Sequence, residues 1–122
     1  MRLVKSEEIS VKGGHCYLVD MNPPRKSKPG KIRPVIVVQS SDTLMAGSPG
    51  VVIVPLTTNL LDENILRART SKEEIPNLEK ISDILLDQIH TIDRSLFLKE
   101  LGPISPHLLE KIKKGVGFLL NF

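Results

Sequence analysis

The chain has 122 residues, 40% hydrophobic and 25% charged, with 17 lysines and arginines against 14 acidic residues for a net charge of +3. That length fits one ordinary domain with a single core, and the composition is that of a soluble globular protein. No apolar run approaches the roughly 20 residues of a membrane helix, and the lone Cys16 excludes an internal disulfide and fits a reducing cytoplasm.

Residues 1 to 12 show no clear period and read as an N-terminal extension, with the domain proper over 13–122. The segment turns acidic at Glu7-Glu8, where a secretory signal would carry its apolar stretch, so export is not expected. His15 to Met21 suits a strand, with Tyr17 and Val19 on one face and Cys16 and Leu18 on the other. Cys16 reads as a small buried hydrophobe rather than a catalytic thiol.

Asn22-Pro23-Pro24 ends that strand, since consecutive prolines remove ladder donors. Pro29-Gly30 is a turn signal, and Arg33-Pro34 biases the arginine toward extended backbone ahead of a Val35 to Val38 strand. Ser40 to Ala46 suits a short helical turn and Gly47 to Gly50 a turn, before a second buried strand over Val51 to Leu56. Asn59 to Asn64 reads as a loop, Ile65 to Thr70 and Ile81 to Ile89 as strands, and Ile92 to Leu96 as a tight turn or short helix. Ser71 to Glu79, interrupted by Pro76, gives no clear reading.

The chain ends in a helix with Ser105 as N-cap, Pro106 at its first position, and Leu108, Leu109, Ile112, Val116, Leu119 and Leu120 at helical spacing. Short strands with Gly/Pro turns and one closing helix predict an α+β fold, a small SH3-like, mostly antiparallel β-barrel with a C-terminal helix.

Charge is unevenly placed. Between Asp20 and Asp42 there is no acidic residue, while Arg25, Lys26, Lys28, Lys31 and Arg33 crowd the first half of that interval. Such a patch attracts phosphates even on a nearly neutral protein. The chain has no Walker loop, His-Glu-x-x-His, paired Cys-x-x-Cys or dinucleotide glycine fingerprint, and Asp83 with Asp87 makes a poor metal site. Metal-free chemistry without a cofactor is therefore expected.

With no tryptophan, one tyrosine and three phenylalanines, stacking platforms are scarce, so contacts to nucleic acid must come from charge and hydrogen bonds. RNA carries its own nucleophile, the 2′-hydroxyl. A protein can cleave it by fixing geometry and stabilising the charge that develops on phosphorus, a task suited to a permanently protonated, forked arginine. Arg33 is the candidate, with the Thr57-Thr58 pair at the exit of the next strand beside it. Taken alone, Arg33 is equally well a structural arginine bridging a carboxylate.

The blocks Gly14-x-x-Tyr17-Leu18-Val19-Asp20, Gly30-x-x-Arg33-Pro34-Val35-Ile36-Val37-Val38, Val54-Pro55-Leu56-Thr57 and Leu86-Asp87-Gln88-Ile89-His90-Thr91-Ile92-Asp93 together resemble the MazF/PemK-type toxins. The resemblance runs in order over roughly residues 13 to 120. It implies a homodimeric, metal-independent endoribonuclease that cuts single-stranded RNA (mRNA) at a short sequence, leaves 2′,3′-cyclic phosphate and 5′-hydroxyl ends, and is silenced by a cognate antitoxin. Catalysis then falls on Arg33 and Thr57. RNA contacts are expected from Arg25, Lys26, Lys28, Lys31, Thr58, Asn59, Asp87, Gln88 and His90. The competing expectations are a gyrase-poisoning toxin of the CcdB type, which shares the barrel, and a nucleic-acid-binding barrel without activity.

Overall fold

The computed structural model describes residues 9–21 and 31–122. Seven strands form: β1 (His15–Asp20), β2 (Ile32–Val37), β3 (Gly50–Thr57), β4 (Arg67–Thr70), β5 (Ser82–Leu85), β6 (His90–Asp93) and β7 (Phe97–Pro103), with β2 and β3 the richest in β-branched residues. Two helices accompany them, the single turn α1 (Ser41–Leu44) and α2 (Pro106–Leu120). Every pairing is antiparallel, in the order β4-β5-β3-β2-β1-β7, with β6 also on β3. The sheet is barrel-like but not closed, which fits the expected α+β architecture.

Strand alternation divides the buried side chains between two faces. Cys16, Ile36, Val54, Leu56 and Ile84 meet Leu108 and Ile112 of α2 on one face. Tyr17, Val19, Val35, Val37, Ile53 and Phe97 pack together on the other, closed by Leu44 of α1. Tyr17 and Cys16 thus point to opposite cores, as their alternation predicts. Val11 is buried in the second core and the Tyr17 hydroxyl donates to the Ser10 carbonyl at 2.8 Å, so residues 10 and 11 are tied to the sheet.

Helix α2 begins as its sequence dictates: the Ser105 hydroxyl accepts the Leu108 N–H at 3.1 Å, and Pro106 occupies the first turn. Gly115, unfavourable in an isolated helix, has a packing reason, because a Cβ there would meet Leu86 at 2.4 Å. The helix therefore packs close against the Leu86 side chain, which would have to shift to admit a Cβ at position 115.

Two segments differ from the sequence-based expectation. The single strand expected over Ile81 to Ile89 is β5 followed by a 3-10 turn at Leu86–Gln88, with β6 beginning just after it at His90. Both strands pair with β3, at Leu56↔Ile84 and at Ile53↔His90, and the break between them falls opposite Val54 and Pro55. Pro55 has no N–H to donate, so an uninterrupted ladder is not available there. Ile92 and Asp93, expected in a turn, belong to β6, and the turn itself is confined to Arg94–Leu96.

Strand β7 had no clear sequence signal, and the structure gives the reason. Its pairing with β1 slips between Cys16 and Tyr17 and again between Leu18 and Val19. Phe97 and Leu101, which a regular strand would point the same way, consequently enter opposite cores.

Truncating a fully buried contact between helix and sheet should be costly. Leu108→Ala is expected to lose about 2–5 kcal/mol of stability, and Ser105→Ala about 1 kcal/mol. Denaturant titration reads both, with the midpoint falling at nearly constant slope.

Candidate active site

The β2–β3 pairing sets Val35 opposite Pro55 and Ile36 opposite Val54. The β2–β3 partners end at Val35↔Pro55, and continuing that register by two residues would align Arg33 with Thr57. Residues so aligned lie on one face of the sheet. Both side chains are half-buried at the rim of the core that holds Val19 and Val35. Arg33 lies next to Val19 of β1 on its other side.

No ion pair holds Arg33 among the described residues, where salt bridges join His15 to Glu100, Arg67 and Arg69 to Asp83, Arg69 to Asp62, and Lys113 to Glu110. Its forked donors are not committed to a carboxylate there. The Thr57 hydroxyl accepts the Asn59 N–H at 3.1 Å, a local turn that caps the strand exit. With the oxygen accepting from the backbone, the hydroxyl proton is left to donate elsewhere. Two donors side by side and partly shielded from water make a site for an anion.

The row continues across β5 and β4, where Thr57 pairs with Asp83 and Asp83 with Arg69. Asp83 is only 1% exposed, and its carboxylate accepts from Arg69 Nε, from Arg67 Nη1 at 3.2 Å and from the Leu61 N–H at 2.8 Å. Burial pushes the Asp83 carboxyl up, but the hydrogen bonds from Arg69, Leu61 and Arg67 outweigh it and hold the group below the usual carboxylate range. Those same bonds to Asp83 and Asp62 raise the Arg69 guanidinium further.

Of the other residues expected to touch a ligand, Lys31, Thr58 and Asn59 are exposed at this same end of the sheet. Lys31 is anchored by its N–H, which donates to Asp20 at 3.2 Å, leaving its ammonium toward solvent. Thr58 alternates to the opposite face, on the wall of a cleft of about 430 Å³ that also holds Asn77, Lys80 and Lys99. Asp87, Gln88 and His90 are exposed and stand apart from Arg33 and Thr57. His90 pairs with Ile53, four residues before Thr57 on β3 and so about 13 Å along the strand. Its Nδ1 lies 2.6 Å from the Gln88 carbonyl. Arg25, Lys26 and Lys28 lie outside the described residues.

Cys16 is fully buried, and burial pushes its thiol up to about 12, which fits the inert hydrophobe expected of it. Among the described residues no group of three or more His, Cys, Asp and Glu side chains is placed to hold a metal ion.

Sequence reasoning missed the Asp83 cluster, treating the residue only as a poor metal ligand. The signal was the alternation Arg67-x-Arg69, two cations on one face of a short strand, which demands a carboxylate on a neighbouring strand. Only the register identifies that carboxylate as Asp83.

A family model described as "PemK-like, MazF-like toxin of type II toxin-antitoxin system" matches residues 12–120. Endoribonuclease MazF of Staphylococcus saprophyticus is 30% identical over 108 residues, covering 88% of this chain and 89% of that protein. Among solved structures, MazE–MazF (Form-II) from Deinococcus radiodurans matches with a TM-score of 0.74 at 18% identity, over 92% of this chain and 96% of that one. A mycobacterial endoribonuclease in complex with its cognate antitoxin gives 0.72 at 18% identity, over 93% and 97%. At these identities the solved structures speak for the fold.

The lowered Asp83 carboxyl couples stability to pH. The unfolded chain binds this proton more readily than the folded one, so the contribution is fully present above the ordinary carboxylate pKa of about 4 and is lost as pH falls through the lower folded value. Unfolding free energy measured by denaturant from pH 7 down to pH 3 should fall below about pH 4. In Asp83→Asn that limb should be shallower by one proton; an unchanged limb would show that Asp83 does not titrate with folding.

Proposed function

The chain belongs to the PemK-like, MazF-like family of type II toxins, and on that premise we propose that it is an endoribonuclease cleaving single-stranded RNA by attack of the ribose 2′-hydroxyl, with Arg33 and Thr57 as the catalytic pair. What supports this reading is the β2–β3 register, which continued beyond Val35↔Pro55 aligns Arg33 with Thr57, together with an Arg33 that has no ion pair among the described residues and a Thr57 hydroxyl that accepts from the backbone. The curated relative, named an endoribonuclease, supports it over gyrase poisoning or a barrel without activity.

In this mechanism the RNA phosphodiester lies across the ends of β2 and β3. The 2′-oxygen forms a bond to phosphorus as its proton is given up, and the bond from phosphorus to the 5′-oxygen breaks as that oxygen takes a proton. The products are a 2′,3′-cyclic phosphate and a 5′-hydroxyl, with no water consumed and no change of oxidation state. Negative charge grows on the non-bridging oxygens, where the Arg33 fork and the Thr57 hydroxyl donate to it in a partly desolvated setting. The protein's own donors suffice for this task, so the reaction needs no metal and no cofactor.

Lys31 and Asn59 flank the phosphate at the same end of the sheet, and Arg25, Lys26 and Lys28 extend the cationic approach by sequence. Thr58 contacts RNA that bends around the strand ends, while Asp87, Gln88 and His90 serve positions further along the chain. These groups select sequence by hydrogen bonding rather than by stacking. The toxin works in the cytoplasm as a homodimer and is neutralised by a short, acidic antitoxin that folds over the basic surface. The antitoxin complexes solved for mycobacterial and Deinococcus proteins support that partnership.

The test is digestion of a mixed single-stranded RNA in excess chelator, followed by mapping of the new 5′ ends. Cleavage at a recurring short sequence with 5′-hydroxyl ends is expected. Arg33→Ala and Thr57→Val should each lower kcat/KM by about 10²–10³-fold, in the range lost when a donor to the developing charge is removed, with the thermal midpoint little changed. Parental rates in folded Arg33→Ala would overturn the assignment, as would cleavage abolished by chelator.

A further inference from the structure

Asp83 is a buried carboxylate at the centre of a partly exposed cluster whose bonds lead back to the segment that follows Thr57. One carboxylate oxygen accepts the Leu61 N–H at 2.8 Å and Arg67 Nη1 at 3.2 Å; the other accepts Arg69 Nε. The same Arg67 Nη1 donates to the Asn59 carbonyl at 2.8 Å, and Arg69 Nη2 reaches Asp62 at 2.8 Å. Asn59 in turn donates its N–H to the Thr57 hydroxyl at 3.1 Å. Residues 57 to 62 are thus held at Asn59, Leu61 and Asp62, each directly by Asp83 or by an arginine that Asp83 holds.

We propose that Asp83 is a positioning residue for the RNA-cleaving site, acting through Arg67 and the Leu61 N–H to fix the turn that orients the Thr57 hydroxyl toward the phosphate. This rests on the reading of Thr57 as a catalytic donor. A threonine at the last position of a strand is free to follow whatever its loop does. Here, the Asn59 N–H fixes which way the hydroxyl oxygen accepts, and hence where its proton points. That N–H stays in place only while Arg67 grips the carbonyl of the same residue and Leu61 is tied behind it.

Charge supports the arrangement. Asp83 is the direct cross-strand neighbour of Thr57, on the face where the anion is to bind. A bare carboxylate there would repel the phosphate. Arg67 and Arg69 neutralise it, so the cluster holds the loop without opposing the substrate.

The experiment compares Asp83→Asn, Arg67→Met, Asp62→Asn and Thr57→Val in steady-state cleavage of one defined RNA, each first shown by thermal melting to be folded at the assay temperature. A loosened site should appear in kcat and not in binding: Asp83→Asn and Arg67→Met are expected to lose about 10- to 100-fold in kcat, the scale of a small displacement of a catalytic group, with KM within about threefold. Asp62→Asn loosens only the far end of the loop and is expected to lose less in kcat than either Asp83→Asn or Arg67→Met.

A merely structural cluster predicts instead that variants folded at the assay temperature keep the parental kcat, and that result for both Asp83→Asn and Arg67→Met overturns the proposal. Arg67→Met covers the case in which Asp83→Asn does not fold, since it severs the tie to Asn59 and leaves the Asp83–Arg69 pair. If Thr57→Val cleaves at the parental rate, the catalytic reading of Thr57 has failed and this inference with it. If Thr57→Val is inactive while Arg67→Met is not impaired, the inference alone falls.

Discussion

Antiparallel pairing of β2 with β3 is the constraint on which the proposed site depends. Arg33 enters the sheet two residues before Val35 and Thr57 leaves it two residues after Pro55, and those two core residues are register partners. The pairing is fixed by burial on both faces, since a slip of one residue would exchange the side chains of the two cores. The spacing of the donor pair is therefore maintained by packing some distance from the site. No interaction between the two donors themselves is required.

The same row of the sheet carries both the proposed anion-binding pair and the charge-neutralised Asp83. Arg33 and Thr57 lie at one end, and Asp83 with its two arginines lies at the other. A buried carboxylate is costly unless its hydrogen bonds are satisfied, and here three donors meet it. The result is a rigid anchor for the loop beyond β3, on a face where the barrel-like sheet stays partly open to solvent. Helix α2 lies on the other face and braces the sheet through Leu108 and Ile112. At the β4 edge the helix also reaches the Asp83 cluster, where Lys111 donates to the Arg69 carbonyl at 2.9 Å.

How much of this was legible in the sequence depended on whether the information was local. The alternation of Cys16, Tyr17 and Val19, the Ser105-Pro106 helix start and the Arg33 and Thr57 blocks are all written within a few residues, and each is found where its pattern puts it. Strand β7 was invisible because its two register slips destroy the alternation that marks a strand. The division of β5 from β6 depends on Pro55, more than 25 positions earlier in the chain, and the Asp83 cluster joins side chains 14 and 16 residues apart. Pairings of that range follow from topology, which no local period encodes.

The central claim is that one phosphodiester is held jointly by Arg33 and Thr57. The most direct measurement is a crystal structure of the protein with an RNA oligonucleotide bearing a 2′-deoxy nucleotide at the mapped cleavage position, which removes the attacking hydroxyl and preserves the bound state. The scissile phosphate is predicted to sit within hydrogen-bond distance of both the Arg33 guanidinium and the Thr57 hydroxyl. A scissile phosphate bound out of reach of either side chain would contradict the account.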